Sequence, residues 1–144
     1  MSENTTIHVG QSDPQAAPVS KGRLWVGRVM SAVPSLFLLI DGGMKLLKPE
    51  SVVKATVQLG YPEGAILGLG IVLLACTVLY LIPRTAVLGA ILLTGYLGGA
   101  VATHVRIGNP LFTHTLFPIY LAVLVWGGLF LRDERLRALI PLRS

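Results

Sequence analysis

Residues 64–105 form one nearly unbroken apolar run, interrupted only by Pro83-Arg84. As a single helix it would reach about 63 Å, twice the thickness of a hydrocarbon core of about 30 Å. Proline removes a backbone donor, and arginine is costly to place in hydrocarbon. The pair therefore predicts a tight hairpin between two antiparallel spans, residues 63–82 and 85–105. Inside a bilayer the backbone must satisfy its own hydrogen bonds, and runs of about 20 apolar residues do so as helices.

Two more apolar runs of spanning length flank this hairpin, residues 24–44 and 111–131. The expected fold class is all-α: an integral membrane four-helix bundle occupying residues 23–140. Composition agrees. Of the 144 residues, 53% are hydrophobic and 13% are charged, with a mean hydropathy of +0.70. An ordinary soluble domain carries about 25% charged residues. The net charge of +5 sits in flanks of apolar runs, with no basic patch interleaved with aromatics, so nucleic acid is not an expected partner; the lipid bilayer is. The lone Cys76 excludes an intramolecular disulfide and a paired redox motif. No metal site is expected.

Residues 1–22 are polar, bear Ser, Thr and Pro, and predict a disordered cytoplasmic tail. Positive and apolar residues come only after residue 20, unlike a cleaved signal peptide. Within the first span, Pro34 predicts a kink, Arg28 can snorkel, and Asp41 can pair with Lys45 one turn on. Between the first two spans, Val52, Val53, Val57 and Leu59 recur near helical spacing. A short interfacial helix is expected over residues 49–59, with an irregular loop as the alternative. Trp25, Tyr80 and Phe130 fit an aromatic belt at one boundary, and Tyr61 and Phe112 fit one at the other. The charged stretch from Arg132 is expected to prolong the last helix for about two turns before Pro141.

Four spans place both termini and the 83–84 turn on one face. Lys21, Arg23, Arg28, Arg84, Arg132, Arg135, Arg137 and Arg143 lie there, against Lys45, Lys48, Lys54 and Arg106 opposite. Eight against four puts both termini in the cytoplasm. Small faces at Gly64 and Gly68, and at Gly95, Gly98 and Gly99, predict close helix approach.

The same topology brings the sparse polar groups to one depth. Asp41 ends the first span, His104 ends the third and His114 begins the fourth, with Lys45, Arg106 and Asn109 close by. Polar groups at membrane depth usually face inward and pair. A carboxylate and two imidazoles can relay protons, or hydrogen-bond a carbonyl-bearing ligand such as a quinone, with Tyr96 and Tyr120 as further donors. The competing account is structural: histidines that cap helix ends or meet lipid phosphates, and an Asp41 ion pair that fixes helix register.

These residues also carry a resemblance. Phe37-Leu38-Leu39-Ile40-Asp41-Gly42-Gly43-Met44-Lys45 followed by Pro49, then Leu59-Gly60-Tyr61-Pro62, form its first part. Gly95-Tyr96-Leu97-Gly98-Gly99 through His104 to Pro110-Leu111-Phe112, and Phe117-Pro118 through Trp126-Gly127-Gly128-Leu129, complete it. Over residues 24–140 the chain resembles the DoxX-like family of small bacterial four-helix membrane proteins. The resemblance implies a subunit of the bacterial inner membrane with quinone or redox links. Its expected partners are the other subunits of a membrane redox or stress complex. A non-catalytic assembly protein that docks partners is the alternative. A small-solute transporter would require a homo-oligomer, and no internal repeat supports it. The architecture is similar to the quinone-linked disulfide-forming enzymes, but those need cysteine pairs, and Cys76 stands alone.

Overall fold

In the computed structural model, which describes residues 20–140, six α-helices and one π-helical turn succeed one another. They are α1 (Lys21–Leu47), α2 (Glu50–Gln58), α3 (Ala65–Leu81), α4 (Ala86–Arg106), the π-helical turn Leu111–Thr115, α5 (Phe117–Arg132) and α6 (Glu134–Leu139). The tail expected over residues 1–22 lies outside the described residues up to residue 19. Ser20 already caps α1, its hydroxyl accepting from the Arg23 amide at 3.3 Å.

α1, with 27 residues, is longer than the predicted span. It runs through Pro34 and stops at Lys48, because a residue before proline is driven out of the right-handed helical region. Lys48 turns left-handed (φ 50°) while its amide still reaches the Met44 carbonyl. α1, α4 and the stretch from Leu111 to Arg132 are each long and apolar enough to cross a membrane. α3 has 17 residues, about 25 Å of helix, at the short end of the spanning range. The protein is an integral membrane bundle. α2 takes the place predicted for the interfacial helix.

The four long helices pack as an antiparallel ring, α1 against α3 and α5, and α4 against α3 and α5. The glycines at these seams are not the predicted ones. At Gly64, Gly68, Gly95, Gly98 and Gly99 an added Cβ would meet no atom within 4 Å, so none is a packing glycine within this chain. The close approaches use other glycines. Gly27 of α1 faces Gly128 of α5, with the Gly128 carbonyl 3.1 Å from its Cβ position. Gly42 of α1 meets Gly70 of α3, and a Cβ at Gly89 would overlap the Tyr80 backbone across the hairpin.

Tyr80 is fully buried, not the interfacial anchor its place near a helix end predicts. Its hydroxyl donates to the Val125 carbonyl at 2.7 Å and meets the Ser31 hydroxyl at 2.9 Å. It thus ties α3 to both α1 and α5. Arg132 stacks over its ring, 5.2 Å from the centroid. This knot closes the bundle at the end that holds the 82–85 turn. The last helix also differs from expectation. Asp133 is extended (φ −111°, ψ 110°), ends α5, and caps a separate helix, α6, by accepting from the Arg135 and Leu136 amides. An N-capping carboxylate satisfies donors that a continuing helix would not leave free. Leu136 then folds back into the core.

Candidate functional site

At the end opposite Tyr80 the helices part around a cavity of about 490 Å³. Its position follows from local chain chemistry. α4 ends in a Schellman turn: the Gly108 amide reaches the Val105 carbonyl at 3.1 Å and the Asn109 amide reaches that of His104 at 3.1 Å. Gly108 takes φ 71°, the left-handed geometry this turn requires. The chain then winds wide, with the Leu116 amide bonded five residues back to Leu111 at 2.9 Å. Pro118, in the first turn of α5, has no amide to continue a regular ladder from below. Phe37 of α1 and Phe117 at the start of α5 meet edge to face, ring centroids 5.1 Å apart.

The walls are mostly apolar. Phe37 and Leu38 come from α1, Leu97 and Ala100 from α4, and Phe117, Pro118 and Leu121 from α5. α2 roofs one side with Val52, Ala55, Thr56 and Leu59. The lining also carries polar groups. Lys45 and Asp41 are ion-paired one turn apart on α1, with the lysine side chain the better buried, at 15% exposure. Thr103 donates to the Gly99 carbonyl at 2.9 Å, so the Tyr61 hydroxyl donates to Thr103 at 2.7 Å. Tyr96 and His104 complete the set. An amide NH2 only donates, so Asn109 Nδ2, 2.7 Å from His104 Nδ1, makes that nitrogen an acceptor. The neutral ring then carries its proton on Nε2, the one ring nitrogen left to donate.

Of the five residues expected to form a ligand or proton site, Asp41, Lys45 and His104 line the cavity. His114 does not. Its ring sits edge to face with that of His104, centroids 6.0 Å apart, while its Nδ1 pairs with Thr113. Arg106 does not line it either and donates to the Leu59 carbonyl at 2.9 Å. Tyr120, weighed as a donor, faces out, 46% exposed. Shared depth did not mean shared direction, because a helix turns 100° per residue. Tyr61, Phe37, Phe117, Gly95 and Gly99 also line the cavity without having been singled out for it. The readable signal was Thr103 beside His104 at the end of a mostly apolar helix. Among the described residues no three His, Cys, Asp or Glu side chains gather to hold a metal ion.

The sequence profile of the DoxX-like family matches residues 29–128. No curated protein and no solved structure matches the chain. The matched stretch runs from inside α1 to inside α5 and contains every residue that lines the cavity. The chain belongs to the DoxX-like family.

Proposed function

We propose that this integral membrane protein holds a lipophilic, carbonyl-bearing ligand of the quinone type, as a subunit of a redox or stress-related assembly in the bacterial cytoplasmic membrane. The observation that carries the reading is one cavity joining apolar walls to a charged and hydrogen-bonding group, Asp41, Lys45 and His104. Its volume falls in the range of small-molecule sites. Such sites are mainly apolar, with a few polar groups that fix orientation.

The residues present fit a carbonyl head. The Lys45 ammonium has three donors and Asp41 takes one of them. His104 keeps its Nε2–H. These donors suit the two oxygens of a quinone ring, while Phe37, Phe117 and Leu121 suit its substituents and tail. A quinone bound there supplies two-electron, two-proton chemistry; the chain's own residues bind and orient it. The structural alternative is weakened at one point. Asp41 and Lys45 share α1, so their ion pair links no two helices and cannot set a register between them.

Eight basic residues against four support an orientation with both termini in the cytoplasm. A reporter fused at the C-terminus is expected to be active inside the cell, and activity only outside overturns that orientation. For the site, the protein is purified in mild detergent and titrated with a benzoquinone carrying a ten-carbon tail. Saturable binding that an Asp41→Ala/Lys45→Ala/His104→Ala variant loses is expected. Equal binding by that variant, or none by the unsubstituted protein, refutes the reading.

A further inference from the structure

Gly95 and Gly99 stand one turn apart on α4, and both line the cavity. Nothing in the fold requires glycine at either. An added Cβ meets no heavy atom within 4 Å, and neither residue has the positive φ that favours glycine. A glycine in mid-helix costs conformational entropy that alanine does not. Here that cost leaves open space facing the cavity. Gly98 shares the lack of neighbours but does not line the cavity. α1 and α5 each contribute one aromatic to the lining, Phe37 and Phe117, at 71° to each other, beside the aliphatic Leu38 and Leu121.

We infer that Gly95 and Gly99 are the specificity-determining residues of the cavity, a side-chain-free strip of α4 against which a flat ring head lies. The inference rests on the quinone reading and deepens it. Two glycines at i and i+4 expose a bare ridge of helix backbone, which a planar ring can approach face-on. Tyr96 flanks the strip, and the Phe37–Phe117 pair contributes aromatic surface from the other helices. A branched or strongly puckered head gains less from such a strip. The class of ligand selected is therefore a planar quinoid or aromatic ring with an apolar tail. An acyclic diketone with the same tail presents the same oxygens and is discriminated against.

The test uses the full chain in nanodiscs and two probes, the ten-carbon-tailed benzoquinone and an acyclic diketone with that tail. The unsubstituted protein is expected to bind the quinone at least tenfold more tightly. Gly95→Leu and Gly99→Leu remove that preference, and Gly98→Leu keeps quinone affinity within twofold. Equal loss in Gly98→Leu and Gly99→Leu overturns the inference while leaving the quinone reading intact, and so does no loss in either. A second measurement needs no ligand. In a Cys76→Ala background, Gly99→Cys is expected to react with a charged methanethiosulfonate at least tenfold faster than Gly98→Cys, because only position 99 faces the cavity. If neither probe binds the unsubstituted protein, the quinone reading falls. The wall assignment then stands on this labelling ratio, and equal rates overturn it.

Discussion

Arg106 Nη2 donates to the Leu59 carbonyl at 2.9 Å, fastening the last turn of α4 to the end of α2. The same guanidinium nitrogen lies 2.8 Å from where a Cβ on Gly60 would stand, and Gly60 holds φ 89°. The roof of the cavity is thus held by one arginine and one glycine that must remain side-chain free. Arg106→Gln should loosen α2 without unfolding the bundle. Amide exchange over residues 50–60 is expected to rise about fivefold, matching a lost hydrogen bond of about 1 kcal/mol. Gly60→Ala should give the same local loosening and add about 1 kcal/mol of backbone strain. Unchanged exchange in both variants counts against the fastening.

Tyr80 should be the residue on which the closed end depends. Tyr80→Phe keeps the ring and loses the bonds to Val125 and Ser31. Its expected cost is about 1–2 kcal/mol, the scale of hydrogen bonds between membrane helices. The unfolding midpoint in a detergent titration checks it, and an unchanged midpoint would remove the knot from the account of stability.

Glycine substitutions should separate seams from open faces. Gly89→Ala drives a methyl into the Tyr80 backbone, which no side-chain rotation can relieve, and is expected to destabilise by about 2 kcal/mol or more. Gly98→Ala meets nothing and should be neutral or stabilising by up to about 1 kcal/mol. The two melting temperatures, measured side by side, decide it. Loss of stability in both would indicate a seam with another molecule along α4.

Asp41→Asn leaves the well-buried Lys45 ammonium without its carboxylate. A loss of about 1–2 kcal/mol is expected, moderated because Asp41 itself is 39% exposed. Asp41→Asn/Lys45→Met removes both charges and should recover about 1 kcal/mol of that loss. Additive single and double variants would mean that the pair contributes no coupling.

Length, breaks and local spacing were legible in the chain. Pro83-Arg84 had to be a hairpin, and the four-residue interval from Asp41 to Lys45 foretold their pairing. What stayed hidden depends on which way a helix face turns. Glycines spaced by four mark a helix that can be approached, but the seams chose Gly27, Gly42, Gly70, Gly89 and Gly128 instead. Tyr80 read as an interfacial anchor because its partners, Ser31 and Val125, lie 49 and 45 residues away. Asp133 with Glu134 carried a capping signal that alternating charges obscured. At the site, depth placed His104 and His114 together, and only the wide turn after Pro110 decided which of them reaches the cavity.

The knot at Tyr80 and the cavity at the far end make the molecule a tuning fork. Its handle is a single phenol bonded to two other helices, and its tines stand around an open space. A change at the handle therefore reaches three helices at once, whereas a change at the tines alters the wall of one cavity.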